Sequence, residues 1–151
     1  MAGNGYIWPF IDQWWQRHLN TPATLDNERL NAFIRSIKWW ELVPSGLNGM
    51  KNLITEGGST DDKSDFVAAA ANKEGSLLIA YIPPDHSGGI TVDLTVLKKK
   101  IKGLWFDPTS GKTIEINDIT LNNSKSFQFV PAGKNSDGKN DWVLKIIAED
   151  N

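Results

Sequence analysis

The chain has 151 residues, enough for one compact domain with a buried core. Hydrophobic residues at 40% and charged residues at 23% match the composition of soluble globular proteins and argue against both disorder and a membrane span. Lys and Arg number 16 against 18 Asp and Glu, a net charge of -2 that lacks the basic excess of nucleic-acid binders, and the absence of cysteine excludes a disulfide framework, a thiolate metal site and a cysteine nucleophile.

Trp8, Trp14, Trp15, Trp39 and Trp40 crowd the start of the chain, so this stretch has much apolar surface to bury. Residues 1–10 lack the charged region and apolar run of an export signal. Ile7, Phe10, Ile11, Trp14, Trp15 and Leu19 recur at helical spacing and predict a helix over 8–19, with Pro9 in its first turn. After a break at Asn20-Thr21-Pro22, Thr24 or Asp26 caps a second helix whose Leu30, Phe33, Ile34 and Ile37 form an i, i+3, i+4, i+7 stripe. Pro44 ends the helical texture, because the residue before a proline is pushed out of the helical region. The chain thus divides into a helical segment, residues 1–47, and a second part, residues 48–151.

The second part reads as short apolar runs separated by turns, at 66–71, 77–82, 90–94, 101–106, 113–116, 126–130 and 141–148. This is the texture of an antiparallel β-sandwich. Asn72-Lys73-Glu74-Gly75 and the turn through Pro108 and Gly111 supply glycines for positive φ. The runs at 77–82 and 104–106 are apolar at consecutive positions, which predicts central strands covered on both faces, with the helices as one cover. Residues 50–65 fit strand, turn or partial disorder.

Few constellations carry chemistry. Glu41 beside Trp39-Trp40 is the best single acid, but sequence spacing supplies no partner carboxylate for glycoside hydrolysis. His18 and His86 lack ligand-spaced neighbours, and neither a serine elbow nor a phosphate loop occurs, so no catalytic residue, metal site or cofactor is assigned. Asn135, Asp137 and Asp141 place oxygens at alternating positions around Gly138, a pattern open to calcium; the simpler reading is a hairpin loop bonded to its own backbone. Tyr81, Trp105 and Trp142 are the strand aromatics able to stack on sugar rings. The alternation of Trp142 with Leu144 and Ile146, and the apolar neighbours of Trp105, favour the core; the core is the favoured reading for all three, Tyr81 included, and loops are the expected contact surface. Lys98-Lys99-Lys100 reads as a solvated turn.

The stretches Asn4-Gly-Tyr-Ile-Trp8, Trp14-Trp15 and Ile37-Lys-Trp-Trp-Glu-Leu-Val-Pro44 resemble the end of the catalytic barrel in apiosidase-like glycoside hydrolases. Asp65-Phe-Val-Ala-Ala-Ala-Ala71, Gly75-Ser-Leu-Leu-Ile-Ala-Tyr-Ile-Pro83, Leu104-Trp-Phe-Asp-Pro-Thr-Ser-Gly111, Phe129-Val-Pro131 and Asp141-Trp-Val-Leu144 resemble the β-domain that follows, known as a collagen-binding domain of a collagenase. The resemblance implies a mainly β fold, an antiparallel β-sandwich preceded by two short α-helices that end a TIM-barrel-like catalytic domain. It implies a non-catalytic accessory module, structural or carbohydrate-binding, or else an independent collagen- or glycan-binding adhesion module. The implied partners are the catalytic barrel of a parent chain and a polysaccharide or collagen, with neither nucleic acid nor membrane; the parent would be secreted or periplasmic. A barrel needs about 200 residues or more, so no family catalytic carboxylate maps onto this chain.

Overall fold

The computed structural model of the chain describes residues 21–60, 63–98, 100–118, 121 and 124–149. The helix expected over 8–19, with Trp8, Trp14 and Trp15, lies outside the described residues, as does His18. Among the described residues one α-helix, α1 (Pro22–Arg35), precedes nine strands. Its cap is Thr21, not Thr24 or Asp26: the Thr21 carbonyl accepts from the Thr24 and Leu25 amides at 3.0 and 3.1 Å, and the Thr21 hydroxyl also accepts from Thr24 N–H. The Thr21-Pro22 pair starts the helix where a break was expected, because proline lacks an N–H that the first turn leaves unpaired anyway. At the other end Ser36 N–H donates to the Ala32 and Phe33 carbonyls, so Ile37 falls just past the helix.

The strands are β1 (Leu42–Pro44), β2 (Ile54–Glu56), β3 (Ala68–Asn72), β4 (Leu77–Ile82), β5 (Ile90–Asp93), β6 (Ile101–Phe106), β7 (Thr113–Ile116), β8 (Ser126–Phe129) and β9 (Trp142–Ala148). Six form one antiparallel sheet in the order β1-β3-β4-β9-β6-β7, and β2-β5-β8 form a second. β1 extends the large sheet from within the segment expected to be helical, pairing Leu42 with Asn72 and Pro44 with Ala70.

Strand periodicity sorts the side chains. Leu78, Ala80 and Ile82 of β4, Trp142, Leu144 and Ile146 of β9, and Ile101 and Trp105 of β6 point to one face of the large sheet, where they meet Ile90, Val92 and Phe129 of the small sheet in a single core. This two-layer packing is what a sandwich requires. The alternate residues of β4, β6 and β9 face the other way, where α1 covers them in part, leaving Ile79, Leu104 and Ile147 half-buried and Tyr81 exposed. There Ile37, Leu42, Ala70 and Leu77 form a second cluster against Phe33, Ile79 and Ile147, and Phe33 lies 4.6 Å from Phe106 between ring centroids. The consecutive apolar runs thus mark central strands, but burial on both faces is only partial: the outer face of β4 is half-buried at Ile79 and open at Tyr81, because one helix does not span the sheet.

The turns are set by specific residues. Buried Asn72 accepts from Ser76 and Leu77 N–H at 2.9 and 3.0 Å, and Gly75 takes φ 68° in the same turn. A Cβ at Gly75 would stand 2.6 Å from the Val96 carbonyl oxygen, so glycine is required there by both conformation and space. No helix among the described residues is long and apolar enough to cross a membrane.

Candidate functional site

The three strand aromatics separate by face. Trp105 and Trp142 point into the core at 4% and 2% exposure, edge to face with centroids 6.4 Å apart, and the Trp142 indole N–H donates to the Gly133 carbonyl at 2.7 Å. Both rings are spent on packing, so stacking on a ligand is closed to them. Tyr81 occupies the opposite face of β4 and is 40% exposed. Burial of its ring and the nearby charge of Asp141 both push its phenol above its ordinary pKa, so it is a neutral hydroxyl at physiological pH.

Tyr81 stands at the rim of a groove between α1 and the outer face of the large sheet. The groove holds a cavity of about 430 Å³, walled by Leu30, Phe33 and Ile34 of the helix and by Ile79, Phe106 and Val143 of the sheet. Asp26, Thr109 and Asp141 join Tyr81 as its polar lining. Across α1 a second cavity of about 300 Å³ reaches Lys145, whose ammonium sits 5.9 Å from the Phe33 ring centroid. Desolvation lowers the pKa of that ammonium.

Asn135, Asp137 and Asp141 form a self-bonded loop. The Asn135 side-chain oxygen accepts from Asp137 and Lys139 N–H at 3.1 and 2.9 Å, and its amide donates to Asp141 Oδ1 at 2.7 Å. A cation would require the oxygen, not the amide, to converge with the Asp141 carboxylate. The hairpin reading thus describes this loop, and no group of three or more acidic or His residues placed to hold a metal occurs among the described residues.

The same loop is tied to the β6–β7 turn by Asp107, part of the 104–111 stretch but given no role by the sequence. Asp107 is 3% exposed and accepts from Thr109 and Ser110 within its own turn and from Ser136 N–H and Oγ at 3.0 and 2.6 Å. Burial pushes its pKa up, but the donors of Ser136, Ser110 and Thr109 outweigh it and hold the carboxyl well below the usual carboxylate range. Its role is to brace two loops at one end of the sheets.

The remaining candidates are peripheral. Glu41 forms an ion pair with Lys38 at 3.4 Å. Lys100 pairs with Glu149 at 3.1 Å, and Lys98 is exposed. His86 is buried, its Nδ1–H donating to the Asp65 carbonyl at 3.2 Å, while Nε2 has no partner among the described residues. Among the described residues the exposed indoles are instead Trp39 and Trp40, at 42% and 65%, packed edge to face 6.0 Å apart in the turn that leads into β1. No periodicity marks this pair as exposed, since adjacent tryptophans at the end of an amphipathic helix fit burial equally well.

Comparisons with known proteins follow this architecture. A solved structure described as a glycoside hydrolase superposes with a TM-score of 0.67 over 99% of this chain at 20% identity. A glycoside hydrolase family 5 structure from Bacteroides vulgatus matches 89% of the chain with a TM-score of 0.64 at 22% identity. The chain spans only 30% and 26% of those two proteins, so the likeness establishes a shared fold with one part of each. No curated protein matches significantly. Residues 51–147, from the approach to β2 into β9, match the family described as "Putative collagen-binding domain of a collagenase". That match takes in well over half of the sequence, and the chain belongs to this family.

Proposed function

We propose that this chain is a non-catalytic accessory module of a glycoside hydrolase-like protein. In this reading the helical start continues from the end of a TIM-barrel-like catalytic domain of the apiosidase-like type, and the β-rich part is a sandwich that braces that domain. The observation that carries the proposal is the superposition of nearly the whole chain on less than a third of a glycoside hydrolase. An accessory module needs a surface facing its neighbour, and exposed Trp39 and Trp40 supply apolar area of the kind that interfaces cover. Any sugar contact by a strand aromatic falls to Tyr81, since Trp105 and Trp142 are buried.

A second reading, a collagen- or glycan-binding adhesion module, is favoured by the family's own description. Both are tested by presenting the chain to immobilised plant polysaccharides, to collagen and to chromogenic glycosides. The accessory-module reading expects no turnover, and weak saturable glycan binding that Tyr81→Ala removes without changing the melting temperature. Saturable collagen binding would establish the second reading. Turnover abolished by Glu41→Gln would overturn both.

A further inference from the structure

We propose that Asn48 is a site of spontaneous covalent modification: the Gly49 backbone amide closes on its side chain, ammonia leaves, and the residue becomes aspartate or isoaspartate. The pair sits in the connection between β1 and β2, and both residues are exposed. Met50 N–H donates to the Leu47 carbonyl at 2.9 Å and Gly46 N–H to the Lys51 carbonyl at 3.1 Å, so the chain reverses tightly with Asn48 and Gly49 at the tip. Their φ angles are 50° and 82°. Positive φ at both central positions is the pattern of a type I′ turn, which asparagine and glycine adopt with least strain.

The reactivity comes from what the pair lacks. Backbone amides of a folded chain are normally held by an acceptor. Among the described residues Gly49 N–H has none, and the Asn48 side chain makes no hydrogen bond. A Cβ at Gly49 would meet nothing within 4 Å, so no neighbour crowds the amide. Two comparable pairs are tied down. At Asn135-Ser136 the Ser136 amide donates to Asp107 Oδ2 at 3.0 Å, while the Asn135 side chain accepts from Asp137 and Lys139 and donates to Asp141. At Asp137-Gly138 the glycine N–H donates to the Asn135 carbonyl at 2.9 Å.

The reaction consumes only water. Solvent base removes the Gly49 amide proton, the nitrogen attacks Asn48 Cγ, and the Cγ–Nδ2 bond breaks as the nitrogen departs, protonated by solvent, as ammonia. Water then opens the cyclic imide. Cleavage at Cγ leaves aspartate; cleavage at the main-chain carbonyl leaves isoaspartate, whose backbone runs through the former side chain and is one carbon longer. Either product adds a negative charge to a chain of net charge -2. The longer backbone disturbs the pairing of Gly46 with Lys51, where the chain passes from the large sheet to the small one. This inference is independent of the accessory-module reading, because it concerns chemistry within the chain.

Trypsin cuts after Lys38 and Lys51 and releases a peptide whose only asparagine is Asn48, so mass spectrometry reads this position separately from Asn4-Gly5 and Asn135. The full chain is aged in mildly alkaline buffer, folded and in parallel in urea. In the folded chain Asn48 is expected to convert within about tenfold of its rate in urea, while Asn135 is protected by more than that. The rate should rise about tenfold per pH unit, as the deprotonated fraction of the amide does. The acid form should separate into two chromatographic peaks of equal mass, aspartate and isoaspartate. Asn48 that stays intact in the folded chain while converting in urea would overturn the proposal. Equal conversion of Asn48 and Asn135 in the folded chain would overturn it too, as would a single aspartate product, which bypasses the imide.

Discussion

Asp107 carries its charge in a nearly closed site because donors from two loops converge on both of its oxygens. A carboxylate whose pKa is lower folded than unfolded contributes stability that is complete above the unfolded value of about 3.9 and is lost as the pH falls below it. Asp107→Asn keeps the shape but removes the charge and turns an acceptor into a donor facing hydroxyls and amides. A loss of about 2–3 kcal/mol at pH 7 is expected, shrinking toward pH 3, in urea titrations at both pH values. A loss equal at the two pH values would mean that the charge is not what holds the loops. The Trp-Phe-Asp-Pro stretch was legible as a strand running into a turn. The reach of Asp107 to Ser136, 29 positions away, was not, because no local pattern encodes which distant loop a turn acid will meet.

At the scale of elements, the alternation of side chains decided most of what could be read in advance. All seven expected strands are present within two residues at each end; most have a buried face that fixes the period, whereas β7, exposed along most of its length, is held by its pairing with β6. β1 escaped and β2 stayed one of several readings of residues 50–65, because three residues are too few to show a period, and their places are set by pairing with β3 and β5. The helix was legible from its stripe, but its start was displaced from the Thr24 or Asp26 cap to Thr21, since proline suits the first turn of a helix as readily as a break. Thr21→Ala is therefore expected to cost about 1 kcal/mol in thermal or urea unfolding. Asp26→Ala should cost less, because its surface pair with Arg29 is worth under about 1 kcal/mol. The reverse ranking would restore the cap to Asp26.

Across the described residues, the large sheet is covered on one face by the small sheet and in part on the other by α1. Removing residues 1–44 deletes α1 and β1, stripping the cover from Leu77, Ile79, Phe106 and Ile147 and opening the β3 edge. Such a truncated chain is expected to aggregate in size-exclusion chromatography. A soluble monomer with an unchanged melting temperature would show that the β-rich part is independent of the helical start. The binding surface was the least legible level: sequence alone offered three strand aromatics, and the structure buries two of them while exposing Trp39 and Trp40. Which face of a strand meets solvent depends on what packs against the sheet, and that is settled only by the assembled layers.

The central claim, that this chain is one part of a larger glycoside hydrolase-like protein, is tested most directly by the size of the polypeptide that carries it. An antibody raised against the chain is used to blot cells and culture medium. A single band several times heavier than 16.8 kDa is expected, consistent with a chain that spans 30% of its structural relative. A band at 16.8 kDa would contradict the claim and make the chain an autonomous protein.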